Sequence, residues 1–142
     1  MSWASPITVV VGIIQKKDKV LIQKRTPGSW MEGRWEFPGG KVRPTLKCTY
    51  ELERELYEEL GLTFFELSDD QLWDEFKFCY PGMSEAHLKF FKIKATSEEP
   101  VAREGQHYEW VQIMRLPMYD FIDADYRVAM KLMQEFLMNK VN

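Results

Sequence analysis

Residues 39–62 read GGKVRPTLKCTYELERELYEELGL, and the fold is decided by this stretch. From residue 45 to residue 60 apolar side chains recur at helical spacing, and Gly61 stands where a helix commonly stops. At 100° per residue, with Glu51 at zero, Glu55 falls at about 40°, Glu58 at about 340° and Glu59 at about 80°. Leu46, Thr49, Leu52, Leu56 and Leu60 fill the arc from about 100° to about 220°. The pattern predicts a helix with one packing face and, opposite it, a wall of four carboxylates.

Ordinary ion pairing accounts for half of that wall. Arg54 can pair with Glu51 or Glu58, and Lys47 with Glu51. Glu55 and Glu59 have no basic residue three or four positions away. Like charges four apart weaken an isolated helix. A divalent cation between them would remove the repulsion, and hard carboxylate oxygens suit Mg²⁺ or Mn²⁺. Phe37-Pro38-Gly39-Gly40 precedes the helix, and glycine lets backbone approach a ligand closely.

Outward from this segment, strands dominate. Residues 7–14, ITVVVGII, form a nearly continuous β-branched run, as expected of a central strand covered on both faces. Residues 15–19 are a polar turn and residues 20–25 a second strand, so the two make a hairpin. Residues 26–34 hold Pro27, Gly28 and Gly33 and read as a loop. A short extended piece at 35–37 stops at Pro38-Gly39-Gly40. Residues 72–80 and 86–95 read as two strands joined through Pro81-Gly82, 97–105 as a charged loop and 109–113 as a short strand. Residues 123–138 read as a C-terminal helix, with Val128, Leu132, Met133, Phe136 and Leu137 at helical spacing. Consecutive strands with two helices predict an α/β architecture: a mixed β-sheet sandwiched between helices.

Composition narrows the function. The chain has 142 residues, which suits a single domain over residues 1–142. Its 19 Lys and Arg against 22 Asp and Glu give a net charge of −3, unlike a bulk nucleic-acid binder. No window approaches about 18 uninterrupted apolar residues, so no membrane span is expected. The N-terminus lacks the basic start and apolar stretch of a signal peptide. Cys48 and Cys79 suit a reducing cytoplasm, with a single bridge left open. Aromatic residues are 14%, which reads either as a ring-rich core or as rings that stack on a flat ligand. His87 and His107 have no ligand-spaced partner and are left unassigned.

The glutamate segment resembles the Nudix box of the Nudix hydrolases, G-x5-E-x7-R-E-U-x-E-E-x-G-U, where U is aliphatic. Gly40, Arg54, Glu55, Leu56, Glu58, Glu59, Gly61 and Leu62 stand at the required spacing. The lead-in WEFPGGKV, residues 35–42, is similar to the MutT-type, nucleotide-cleaning branch. One position departs: Leu46 stands where the first box glutamate is expected. Arg43 and Thr45 replace an acidic residue and a glycine usual in the branch. In the family that glutamate commonly supports the box arginine, so the resemblance implies that Arg54 and the loop 41–45 lack their usual support.

The resemblance implies a Nudix fold and a hydrolase that cleaves a nucleoside triphosphate to monophosphate and pyrophosphate. The substrate would be 8-oxo-dGTP-like or a cytosine nucleotide, with nucleotide-pool sanitation and DNA repair as the setting. The alternatives are a sugar nucleotide or dinucleotide substrate, or a degenerate domain that binds nucleotide without turnover. It implies a cofactor, Mg²⁺ or Mn²⁺, on Glu55, Glu58 and Glu59 with the Gly40 carbonyl. Glu104, in Arg103-Glu104-Gly105-Gln106, resembles the KEGQ loop whose glutamate joins the metal or acts as base. Glu55 is the other candidate base, and Arg54 belongs with the catalytic set. Arg25, Gly39, Lys41 and Arg43 are candidates near phosphate. Phe37 and Tyr80, with Trp30 and Phe78 as weaker candidates, would line the base pocket. Asp125 stands where many MutT-type enzymes have an asparagine that reads the base. An ionised carboxylate only accepts, so it favours an amine or N–H on the base unless it is protonated. Asp123 or Asp125 is equally placed to cap the last helix. The expected partner is a small nucleotide, with the chain a monomer or homodimer.

Overall fold

A computed structural model describes residues 7–64 and 67–141. The first six residues, where the signal-peptide reading begins, lie outside them. Seven strands among the described residues form one mixed sheet. β1 (Ile7–Lys16) is central, as its β-branched run predicts. It runs parallel to β6 (Ala86–Lys94) from Ile7 opposite Ala86 to Gln15 opposite Lys94. β5 (Leu72–Phe78) pairs antiparallel outside β6.

The other edge of β1 is shared between two partners. Near its C-terminal end it pairs with β2 (Lys19–Lys24), making the expected hairpin. Further back, Val9, Val10 and Val11 pair with Lys41, Gly40 and Gly39 of β4 (Gly39–Lys41). β2 diverges from β1 to pair with β7 (Tyr108–Gln112) and with β3 (Trp35–Glu36). The glycine pair is therefore a strand and not the bare stop expected. It carries no side chains to show a strand pattern; the free edge of β1 holds it.

Each face of β1 is covered by one helix. Val10 and Ile14 join Leu52, Leu56 and Leu60 of α1 (Cys48–Leu60) in one cluster. Val11 and Ile13 join Val128, Ala129 and Leu132 of α2 (Asp123–Val141) in the other. Leu137, expected on the packing face of α2, is exposed instead. The first helix begins three residues later than expected. Thr45 has φ 71°, in the left-handed region, and a right-handed helix cannot pass through it. Leu46 is consequently 40% exposed and does not pack. Gly61 ends α1 as expected, its N–H donating to the carbonyls of Leu56 and Tyr57.

Leu56 fixes the distance between α1 and the sheet. It is fully buried, and a Cβ at Gly12 of β1 would lie 3.5 Å from its Cδ1. Leu56→Ala should therefore cost about 2–5 kcal/mol of stability, read as a lower urea midpoint with an unchanged m-value.

Candidate active site

The pairing of β4 with β1 brings helix and strand backbone together. A Cβ at Gly39 would lie 2.1 Å from the Val10 carbonyl oxygen, and one at Gly40 would lie 2.5 Å from Cδ of Glu55. At Gly39 the obstacle is backbone and no other residue fits; at Gly40 a side chain would displace the Glu55 carboxyl, which lies against the Gly40 backbone. Burial raises the Glu55 pKa; Arg54 opposes that, while the charges of Glu58 and Glu104 add to it.

Glu59, one turn on, is the most perturbed carboxylate of the helix. Burial first, then the charges of Glu55, Glu36 and Glu104, push its pKa up to about 8. Its Oε2 is buried with no hydrogen-bond partner among the described residues. A cation would satisfy that orphaned oxygen and relieve the crowding of charge. The donor set therefore fits a hard divalent ion. Among the described residues no three His, Cys, Asp or Glu side chains form a ready-made cage.

Arg54 organises the remaining carboxylates. It donates to Glu58 Oε2 at 2.8 Å and to Glu55 Oε1 at 3.0 Å. Its Nε donates to Glu51 Oε2 at 2.9 Å. The hydrogen bond to Glu51 is the main reason its own pKa is raised above the usual arginine value. Glu58 is half exposed at the rim, held there by Arg54. Glu51 is not part of an open acidic wall; it is fully buried. Burial raises its pKa, but the hydrogen bonds from Arg43 and Arg54 outweigh that and hold it below the usual range. Lys47 is not its partner; Arg43 is, at 2.7 Å. Arg43 thus turns toward α1.

Glu104 sits on the loop before β7, and Gln106 ties that loop to α1. The Glu104 N–H donates to Gln106 Oε1 at 3.0 Å, and Gln106 Nε2 donates to the Glu59 carbonyl at 3.0 Å. The Arg103 N–H donates to the same carbonyl at 3.0 Å. Gln106 escaped the sequence reading, although Glu-Gly-Gln was its visible signal. Glu36 escaped it too: it accepts from Arg25 Nη1 at 2.7 Å and from Gln23 at 3.1 Å. Arg25 also donates to the Trp30 carbonyl.

Two cavities meet at these residues. The smaller, about 170 Å³, is polar and lined by Gln23, Arg25, Glu36, Glu59, Glu104 and Gln106 among others. The larger, about 370 Å³, runs from Gly39, Gly40 and Lys41 past Arg25, Glu36 and Glu59 to Trp30, Phe37, Phe78, Tyr80 and Asp125. Trp30 meets Tyr80 edge-on at 4.7 Å, and Phe37 stacks on Phe121 at 5.3 Å. Some of the aromatic excess therefore lines a cavity, and the rest is core. The Ala124 N–H donates to the Tyr80 hydroxyl at 2.8 Å, and burial pushes the Tyr80 pKa up to about 12.

Asp125 closes the far end from the first turn of α2. Its Oδ2 accepts the Phe37 N–H at 2.8 Å. Burial, aided by the charge of Glu36 and opposed by the Phe37 N–H, pushes its pKa up to about 8. Of the sequence candidates, Arg25, Phe37, Gly39, Gly40, Lys41, Glu59, Phe78, Tyr80 and Asp125 share the larger cavity. Glu104 reaches the smaller one, while Arg54, Glu55 and Glu58 line neither.

Residues 9–131 match the NUDIX domain family. The chain belongs to that family. It is 34% identical over 113 residues to an 8-oxo-dGTP diphosphatase of Buchnera aphidicola subsp. Schizaphis graminum, covering 80% of this chain and 82% of the relative. Over 56 residues it is 46% identical to the CTP pyrophosphohydrolase of Escherichia coli, covering 39% and 42%. A MutT structure from work on the Aliivibrio salmonicida and Vibrio cholerae proteins superimposes with a TM-score of 0.73 at 32% identity, covering 90% of this chain and 96% of that one. The mixed sheet with a helix on each face is thus the Nudix fold. Among the described residues no helix is long and apolar enough to cross a membrane.

Proposed function

We propose that this Nudix chain hydrolyses a nucleoside triphosphate to the monophosphate and pyrophosphate, with a divalent cation as cofactor. The observation that carries the reading is that Glu59, Arg25 and Glu36 line both the aromatic cavity and the acidic one. A flat base seated among Trp30, Phe37, Phe78 and Tyr80 then sends its phosphates toward the Glu55, Glu59 and Glu104 carboxylates.

When bound, Mg²⁺ or Mn²⁺ on Glu55, Glu58 and Glu59, with the Gly40 carbonyl and Glu104 as further oxygens, supplies charge neutralisation on the phosphates. Water attacks phosphorus, the P–O bond that joins the nucleoside monophosphate to the pyrophosphate breaks, and a carboxylate takes the water's proton. Glu104 or Glu55 is that base. Lys41 and Arg25 contact phosphate, and Arg25 leaves Glu36 to do so. Arg54 holds Glu55 and Glu58 in place.

Asp125 narrows the base. With its pKa near 8 it is mainly a neutral acid at pH 7. Oδ2 already accepts from Phe37, so Oδ1 carries the proton and donates to a base carbonyl. Guanine, oxidised or not, and cytosine each offer such a carbonyl and adenine does not; the similarity to 8-oxo-dGTP diphosphatases makes 8-oxo-dGTP the leading substrate. A cytosine nucleotide is the second reading, favoured by the similarity to the CTP pyrophosphohydrolase. Pyrophosphate release with Mg²⁺ over a panel of normal and oxidised triphosphates tests both. The highest kcat/KM is expected for 8-oxo-dGTP, with loss of turnover on chelation by EDTA and recovery on adding Mg²⁺. Turnover confined to sugar nucleotides or dinucleotides, or none at all, would refute the proposal.

A further inference from the structure

We infer that Glu51 is the positioning residue that replaces the missing first box glutamate, anchoring Arg54 through a carboxylate moved five residues along the chain and shared with Arg43. The inference rests on the reading of Glu55, Glu58 and Glu59 as cation ligands.

Three departures from the family pattern become one rearrangement. Leu46 cannot accept a hydrogen bond, and it lies 40% exposed ahead of the helix. Glu51 sits inside the helix and is fully buried. Its Oε2 accepts Arg54 Nε at 2.9 Å, and its Oε1 accepts Arg43 Nε at 2.7 Å. A basic residue at 43, where the branch usually has an acidic one, supplies the second countercharge that a fully buried carboxylate between helix and loop requires.

The link also reaches the backbone of the site. Arg43 follows β4 by two residues, so Glu51 fastens α1 to the chain that continues from Gly40. That loop needs fastening, because the β-branched Thr45 holds φ 71°, where such residues are rarely found. On the helix side, Glu51 takes one edge of the planar Arg54 fork. That edge is Nε and Nη2; Nη2 is shared with Glu55 Oε1, 3.0 Å away, and Nη1 is left aimed at Glu58 Oε2, 2.8 Å away. Without Glu51 the guanidinium loses the edge that fixes its plane, and it is free to shift further onto those two carboxylates and hold them against a cation.

Mn²⁺ alone, titrated into the full chain and followed by electron paramagnetic resonance, tests this. Glu51→Gln should weaken Mn²⁺ binding by about 10–100-fold, the usual effect of losing a group that orients a ligand. Leu46→Glu added to that variant should recover most of the loss. In the wild type, the Arg54 Nε–H resonance should exchange slowly with solvent, and Glu51→Gln should make it fast. A buried ion pair that only stabilises the fold would lower Tm but leave Mn²⁺ affinity of the folded protein unchanged, which would overturn the inference.

If Glu51→Gln does not fold, the double variant Leu46→Glu/Glu51→Ala decides. Near-wild-type Mn²⁺ binding by the folded double variant supports the inference, and absent binding overturns it. Fast exchange of Arg54 Nε–H in the wild type overturns it without any variant. Failure of the wild type to bind Mn²⁺ would refute the ligand reading itself, and this inference with it.

Discussion

Glu59→Gln is expected to lose about 10²–10⁴-fold in kcat, the range for removing one charged group from a catalytic centre, while becoming more stable in the absence of metal. The two effects have one cause. Glu59 is largely buried beside Glu55, Glu36 and Glu104, with Oε2 unpartnered. The folded state therefore resists its ionisation. Its pKa rises from the ordinary 4.5 to about 8, so the folded chain binds a proton that the unfolded chain has released. Stability is untouched at pH below about 4.5, falls as pH rises, and has lost the full amount above about pH 8. Glutamine removes that charge, so urea unfolding without metal should show the variant gaining about 1–3 kcal/mol at pH 8 and little at pH 5. Cation binding must displace the same proton, so wild-type affinity for Mn²⁺ should climb between pH 6 and about pH 8 and then level. A variant with near wild-type turnover would reject Glu59 as a ligand.

Asp125→Ala should lower kcat/KM by about 10–100-fold, mainly through KM. It removes both the donor offered to the base and the acceptor of the Phe37 N–H. Asp125→Asn keeps a carbonyl for that N–H and an N–H₂ donor for a base carbonyl, so it should retain most activity on 8-oxo-dGTP. It should also abolish the loss of substrate affinity as pH rises through about 8, where the wild-type carboxyl ionises and ceases to donate. Steady-state kinetics from pH 6 to pH 9 read both. Equal damage from Asn and Ala would mean that Asp125 does not read the base through its proton.

The parts of the fold legible in the sequence were those set by local periodicity. The β-branched run of β1, the leucines of α1 and Gly61 behave in three dimensions as their spacing implies. What escaped is non-local. Glu51 sits at the edge of the helical acidic arc, and no wheel reveals that Arg43, eight positions earlier, arrives to bury it. β4 lacks side chains to carry a pattern. Glu36 and Gln106 matter because strands distant in sequence bring them to Glu59 and Arg25. The spacing of Glu55, Glu58 and Glu59 was readable, but their unequal exposure was not: Glu58 stands at the rim while Glu59 is half-buried between two cavities with its Oε2 out of reach of solvent. The protonation of Asp125 was likewise beyond the sequence, because it follows from burial at the end of a cavity.

The central claim is that the carboxylates of α1 grip a divalent cation beside the phosphates. Crystals grown with Mn²⁺ and a non-hydrolysable nucleoside triphosphate analogue test it most directly. Anomalous density is expected between Glu55, Glu59 and the Gly40 carbonyl, touching phosphate oxygen, with the base against Tyr80 and Asp125. Manganese bound elsewhere with those carboxylates empty, or phosphates lying away from them, would contradict it.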